Sequence, residues 1–361
     1  MDIRIDRNPN PPAVPAWDEL VFGKHYSAHM FLLNWRDGAW HDPRIVPYGP
    51  FEMSPAAKVL HYAQEIFEGM KAYKKADASV HMFRPEMNVA RFNRSAERLC
   101  MPTVDPGLFL QALEMLCALD QDYVPPHPGS LYIRPTMIGD EPSLGVASSS
   151  TFLFYIITGP VGTYFKRGVN PLYLKAETEY VRSAPGGVGF AKTGGNYAAA
   201  LLPIQRAQRE GFDQIIWLDA LSRTKVEEMG AMNICFVYED RVLTAPIMPE
   251  SDTILAGVTR DSIGTLVQEL DLEWVQQHPV LAEVLADAQS GALKEAFACG
   301  TAAIVTPIGK IHAGGEDVTI GDGEEGPVTR KLRETLGEIH AGRSEKHPEW
   351  LHHVSPEVVP G

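Results

Sequence analysis

The chain has 361 residues, more than one hydrophobic core usually organises, so two domains are expected. Hydrophobic residues make up 45% and charged residues 22%, which excludes a chain disordered throughout. The formal net charge of −14 argues against nucleic-acid binding, which needs a cationic footprint, and against docking on anionic membranes.

Residues 1–20 are Pro-rich and are expected to wrap the surface. From His29 to Pro50 the alternation and turn signals read as strands, and Ser54–His61 is a short apolar stretch. Phe67–Tyr73 and Val80–Phe83 flank a polar turn at Lys74–Ser79, the pattern of a hairpin. Val89, Phe92, Ala96 and Leu99 share one face and predict a helix over Asn88–Cys100; Leu108–Leu119 predicts a second. Ser130–Met137 and Thr151–Ile157 read as strands. Turn residues and the basic pair Lys166–Arg167 put a domain boundary in Gly162–Pro171. The expected division is a small N-terminal domain over 1–165, an interdomain loop over 166–182 and a larger domain over 183–361.

Past the boundary, Pro185–Gly189 is a backbone-permissive loop. A helix over Tyr197–Glu210 and a buried strand over Gln214–Leu218 follow, then a hairpin of Asn233–Tyr238 with Arg241–Thr244. Val258–Leu270 predicts a helix opening right after Gly257, and Ala296–Thr306 a strand of small residues. The tail after His340 shows no obvious helix or strand. This order, mixed without strict alternation, predicts two α+β units rather than one doubly wound sheet.

Cys100, Cys117, Cys235 and Cys299 form no C-x-x-C pair and stand near no histidines at zinc-like spacing. Reduced, mostly buried thiols, no metal site and a cytoplasmic setting are expected. The first residues mix acids with bases and lack an apolar run, unlike a signal peptide. No stretch approaches the ~20 apolar residues of a membrane span.

Most lysines sit on solvated faces and carry no chemistry. Lys192 differs, because five glycines lie within six residues of it, and glycine clusters mark backbone packed close to something. A lysine in such a constriction can lose its proton and attack aldehydes. The competing pattern is a phosphate-cradling loop, G-x-x-x-x-G-K-[ST], which Gly186 to Thr193 nearly matches. Ile215–Asp219 even imitates the strand ending in a magnesium-binding acid. The match fails at Ala191, whose Cβ stands where bare backbone is needed. Gly194–Gly195 would also start the following helix poorly.

Several segments resemble fold-type-IV, class IV pyridoxal-phosphate-dependent aminotransferases, specifically the branched-chain group. They are Phe67–Tyr73, Phe83–Pro85, Arg91–Leu99, Leu131–Pro135, Glu141–Val146, Lys192–Tyr197, Glu228–Asn233, Ile254–Arg260 and Gly300–Ala302, all in family order. The resemblance implies a two-domain mixed α+β fold, with a smaller N-terminal α/β domain and a larger C-terminal domain built on a β-barrel-like sheet. It implies pyridoxal 5'-phosphate held as a Schiff base on Lys192, which then shuttles a proton between the substrate Cα and the cofactor. Glu228 would pair with the pyridine nitrogen and keep the ring an electron sink; otherwise it is a surface acid beside Glu227. Arg91 would bind the phosphate with its guanidinium fork, although its spacing to Arg94 and Arg98 also suits a solvated basic face. Val258 and Thr259 would offer N–H groups at a positive helix end, Thr301 a hydroxyl, and Tyr197 a bond to the ring oxygen.

The substrate side implied by the resemblance is a wall of Phe22, Tyr62, Phe67, Tyr132 and Tyr164, residue types that elsewhere are simply core. Ala231 and Ala302 would turn backbone N–H groups to the substrate carboxylate, with Arg134 near that end. The implied reaction is amine transfer from L-leucine, L-isoleucine or L-valine to 2-oxoglutarate, giving branched 2-oxo acids and L-glutamate. A homodimer is implied, since Glu141–Val146 corresponds to a loop that completes the pocket of a second subunit. Two departures stand out. Ala303 and Thr306 hold the places of a Cys-x-x-Cys found in some relatives, and Ala231 stands where many have threonine. Rival readings are a D-amino-acid aminotransferase or an aminodeoxychorismate lyase within the family, and outside it a P-loop ATPase or a catalytically silent binding protein.

Overall fold

The computed structural model describes residues 1–162, 169–247 and 253–359. The chain divides into two compact units: Met1–Thr163 with Ala191–Gly194 and Gly337–Gly361, and Tyr164–Phe190 with Gly195–Leu336. Among the described residues no helix is long and apolar enough to cross a membrane.

The first unit contains β1 (Arg4–Ile5), β2 (His29–Arg36), β3 (Ala39–Pro47), α1 (Lys58–Tyr62), β4 (Glu65–Phe67), β5 (Met70–Lys74), β6 (Val80–Phe83), α2 (Pro85–Arg98), α3 (Pro106–Leu119), β7 (Ser130–Gly139) and β8 (Phe152–Val161). The second contains β9 (Leu172–Glu177), α4 (Gly194–Arg209, its first residue counted with the first unit), β10 (Gln214–Leu218), β11 (Val226–Met229), β12 (Met232–Val237), β13 (Arg241–Thr244), α5 (Val258–Gln268), β14 (Glu273–Gln276), α6 (Leu281–Ser290), β15 (Glu295–Gly300), β16 (Ile304–Ala313) and β17 (Glu316–Thr319). α7 (Pro327–His340) leads back to the first unit, which β18 (Leu351–Val354) completes.

The first sheet runs β1-β3-β2-β8-β7-β5-β6-β18, with β4 paired to β7. Strand alternation splits its residues between two faces. Phe31, Leu33, Ile66, Ile133 and Phe154 pack with Phe92 of α2 and Phe109 of α3 in one core. Ile66 is opposite Met137, so Glu65 and Phe67 lie on the other face, opposite Ile138 and Thr136. Tyr132, Arg134 and Tyr155 follow on that second face by the same period. In the second unit the order β11-β10-β9-β16-β15-β12 closes on itself through the β11–β12 pairing, so six strands form a barrel. Closure pairs strands that would otherwise be exposed edges. The fold is therefore the expected mixed α+β arrangement with a barrel-like sheet.

Four expectations need correction. The segment 166–182 is not a loop throughout, because Leu172–Glu177 forms β9, which is hydrogen-bonded to both β10 and β16. Ala296–Thr306 is not one strand. It is β15 and β16 reversing at Thr301–Ala303, where Ile304 takes a φ of 61°. The tail after His340 is not structureless and does not belong with 183–336, since β18 pairs antiparallel with β6. That return gives the first unit the greater share of residues. Finally, α4 starts at Gly194 itself despite the two glycines, because a remote carboxylate satisfies its first N–H, as described below.

His352 staples the returning strand. Its Nδ1 lies 2.6 Å from Glu86 of α2, and its Nε2 bonds Glu114 of α3. The bond to Glu86 outweighs partial burial and, with Glu114, pushes His352 up to about 9. A raised folded-state value means that the staple is fully present below the unfolded value of ~6.5 and is lost as pH rises through about 9. The stability advantage of the native chain over His352→Gln should therefore be largest at pH 6, about 1 kcal/mol after solvent screening, and fade by pH 10. Urea unfolding at both pH values checks this; an advantage that grows with pH would contradict it.

Candidate active site

Lys192 is half-buried in the first unit, in a segment that hydrogen bonds hold on both sides of it. Its N–H donates to Ser95 Oγ at 3.0 Å, and its carbonyl accepts from the Phe67 N–H at 3.0 Å. Thr193 Oγ1 donates to the Glu65 carbonyl at 2.7 Å, and the Gly194 N–H to Glu65 Oε1 at 2.5 Å. The segment thus docks along β4, while Ser95, which also donates to the Arg91 carbonyl, ties it to α2. The Nζ lies 5.0 Å from the Phe67 ring centre, and its charge reaches the fully buried Glu68. Burial alone would push the Glu68 carboxyl up. Arg91, Lys192 and Asn88 together bring it below the usual range instead.

Arg91 is buried, not on a solvated face. Its Nε and Nη2 grip Glu68 at 2.6 and 2.8 Å, so two of its three nitrogens already serve a carboxylate. Phe67 and Tyr132 each face Arg134, and Phe22 extends the Tyr132 side. The Arg134 guanidinium carbon is 4.7 Å from the Phe67 ring centre and 5.2 Å from that of Tyr132, whose hydroxyl accepts from Nη2 at 2.8 Å. Phe22, half exposed, stands edge-on to Tyr132 at 4.9 Å. Arg134 Nε is buried with no hydrogen-bond partner among the described residues. Tyr62 is exposed and bonds the Leu144 carbonyl of its own chain's 141–146 segment. Tyr164 lies outside the described residues.

In the second unit, Glu228 on β11 is buried, as is Glu227 beside it, so neither is a surface acid. Glu228 Oε1 accepts from the Leu255 N–H at 2.8 Å, and Oε2 lies 2.8 Å from Arg182 Nε. Arg182 also donates to the Gly189 and Thr253 carbonyls at 2.9 and 3.0 Å. Burial pushes Glu227 up.

Register gathers the remaining residues at one end of the barrel. Asn233 is opposite both Glu228 and Cys299, so the turns holding Ala231 and Thr301–Ala302 are neighbours. Asn233 also bonds the Leu255 carbonyl at 3.1 Å, and a Cβ on Gly257 would come within 2.2 Å of its Oδ1. A side chain here would force Asn233 to move before α5 could begin so close. Among the described residues no side chain caps that helix at Gly257, and its first turn holds the buried Val258 and Thr259. Arg260 pins the same turn through the Ala245 carbonyl and Gln276, at 2.7 and 2.9 Å. Tyr197 is half-buried in the first turn of α4.

The phosphate-loop alternative fails on this geometry. The start of α4 is an anion seat, but the chain's own Glu65 carboxylate fills it.

The class IV amino-transferase family model matches residues 65–311, which covers Lys192, Glu228 and Thr301. This chain belongs to the class IV amino-transferases. It is 45% identical to a probable branched-chain-amino-acid aminotransferase of Streptomyces coelicolor, over 92% of this chain and 91% of that one. It is 44% identical to branched-chain-amino-acid transaminase 1 of Bacillus subtilis, over 91% and 92%. The branched-chain amino acid aminotransferase of T.th., solved with pyridoxamine 5'-phosphate, superposes with a TM-score of 0.74 at 28% identity, covering 90% of this chain and 98% of that one. That same protein has been solved with N-(5'-phosphopyridoxyl)-L-glutamate and with 4-methylvaleric acid.

Glu65, Glu68, Ser95, Arg182 and Asn233 escape a reading by sequence. Glu68, Ser95 and Asn233 lie inside matched segments, where a buried acid beside a glycine is a usable signal. Glu65 and Arg182 have no local pattern, since their partners are distant in the chain.

Proposed function

We propose that this class IV amino-transferase is a branched-chain amino-acid aminotransferase using pyridoxal 5'-phosphate. It moves the amine of L-leucine, L-isoleucine or L-valine to 2-oxoglutarate, releasing the branched 2-oxo acid and L-glutamate. The observation that carries this reading is an amine held on a four-point backbone seat beside an aromatic wall with one guanidinium in it.

The residues present fit the cofactor. Lys192 supplies an amine for its aldehyde, the buried Glu228 a carboxylate for its ring nitrogen, and the uncapped first turn of α5 two N–H groups for its phosphate. Thr301 and Arg91 would add donors to the phosphate, and Tyr197 one to the ring oxygen. When bound, the cofactor supplies a carbonyl that condenses with amines and a ring that draws off the electron pair left on the substrate Cα. Lys192 Nζ takes the proton from that Cα and returns one to complete each half of the exchange. Glu228, with Arg182 Nε 2.8 Å from its Oε2, would offer the ring nitrogen a carboxylate partner that favours its protonated form.

Phe22, Tyr62, Phe67, Tyr132 and Tyr164 would exclude water from the branched side chain, and Ala231 and Ala302 would give N–H groups to the α-carboxylate. Arg134 adds the polar group that the second substrate requires: its unpartnered Nε suits the far carboxylate of 2-oxoglutarate. We assign the working form to a homodimer, with Glu141–Val146 closing the partner copy's site. Its support is that Leu144 and Val146 are exposed, while Lys58 anchors the loop through Glu141 and the Ala147 carbonyl.

The test is to supply L-leucine, 2-oxoglutarate and pyridoxal phosphate and follow both products. Equal amounts of 4-methyl-2-oxopentanoate and L-glutamate are expected, and absence of glutamate with all three branched amino acids rejects the reading. Arg134→Leu should raise the KM for 2-oxoglutarate roughly 10- to 100-fold, the worth of a charge-assisted bond, while shifting that for L-leucine far less. Equal shifts for both substrates would remove Arg134 from that role.

A further inference from the structure

We propose that Glu65 is a positioning residue for Lys192: its carboxylate, by accepting the Gly194 N–H, fixes the backbone that carries the reactive amine. This rests on the reading of Lys192 given above.

Glu65 contributes twice to the seat. Its carbonyl accepts the Thr193 hydroxyl at 2.7 Å, and its side chain reaches the next residue's N–H at 2.5 Å. The Phe67 N–H–Lys192 carbonyl bond and the Thr193 hydroxyl–Glu65 carbonyl bond use backbone acceptors and would survive loss of the carboxylate, but Gly194 would lose its side-chain tether. The Gly194 N–H is the first of α4 and has no intrahelical acceptor, and a carboxylate at a helix N-terminus is favoured by both the hydrogen bond and the dipole.

The approach is so close that any side chain at position 194 would force the Glu65 carboxylate to move. A Cβ at position 194 would lie 2.0 Å from Glu65 Oε1.

Core packing gives no reason for an acid at this position. The same sheet face carries Met30, Leu32, Ile138 and Leu153 as an apolar cluster, and burial pushes the Glu65 carboxyl up. The Gly194 bond and the charge of Arg134 from β7 work against that rise, and Tyr155 of β8 also faces it. A half-buried glutamate on an apolar stretch of the sheet, matched to one glycine, points to a role at the segment it holds. Lys192 has a long flexible side chain, so its Nζ is placed only as well as its backbone is. Small misplacements of a reacting group cost rate steeply.

The test compares Glu65→Ala, Glu65→Gln and Gly194→Ala in the full chain. Three readouts are taken: hydrogen exchange of the 190–197 segment without cofactor, the growth of the visible band after adding pyridoxal phosphate, and kcat and KM for L-leucine. Glu65→Ala should speed exchange at the Gly194 amide and slow both band growth and kcat, each roughly tenfold, with the KM for L-leucine within about twofold. Glu65→Gln keeps an acceptor oxygen and should restore most of each loss. Gly194→Ala should be harmful with Glu65 present and nearly silent alongside Glu65→Ala, because the clash is with that carboxylate. Native exchange and native band growth in Glu65→Ala overturn the proposal, as does a Gln variant as impaired as the Ala variant. If Glu65→Ala does not fold, the exchange and band growth of Gly194→Ala decide in the same way. Lys192→Ala run in parallel separates the two ideas: a native band and rate in that variant defeat the role of Lys192, while the exchange data still report the clamp.

Discussion

Lys192→Ala is expected to lower amine transfer from L-leucine to 2-oxoglutarate by a factor on the order of 10⁴, the upper range for loss of a positioned proton carrier, with further loss from the missing nucleophile. The fold should survive. The four bonds described for the seat use backbone atoms or the side chains of Ser95, Thr193 and Glu65, none of which the substitution removes. Thermal unfolding should therefore shift little, which separates a chemical loss from a structural one. Visible spectra in the same samples should show a band that bleaches with L-leucine and returns with 2-oxoglutarate in the native chain only. A variant that keeps a hundredth of the native rate would remove Lys192 from the proton transfer.

The second large effect is on stability. Glu68 is fully buried, and its carboxylate receives Arg91 Nε and Nη2, Asn88 Nδ2 and the Gly69 N–H at 2.6 to 3.0 Å. Glu68→Ala leaves the Arg91 guanidinium buried without its counter-ion, and removing one partner of such a pair costs about 3–5 kcal/mol. The double variant Glu68→Ala/Arg91→Met should lose less than Glu68→Ala alone, because no uncompensated charge remains. Denaturant unfolding of the three chains tests this. A double variant less stable than the single one would show that Arg91 is held chiefly by something other than Glu68.

The sequence by itself determined a good deal. Helical spacing located α2, and the apolar stretches of α3, α5, β10 and the β12–β13 hairpin were legible as well, because each element's own residues carry its apolar surface. The glycine cluster singled out Lys192, and Glu228 and Thr301 stood in recognisable company. What the tertiary structure decided is what depends on partners remote in the chain. β18 exists because β6, far earlier in the chain, offers an edge that sets Leu351 opposite Phe83. β15 and β16 separate because a barrel must turn at Thr301–Ala303. α4 begins on a glycine because Glu65, 129 residues away, accepts its first N–H. Arg91 could be read as a phosphate ligand from its surroundings, yet only packing shows that its fork already holds Glu68. Local pattern encodes which face is apolar; which buried charge meets which is set by the approach of distant segments, and a linear pattern carries no record of it.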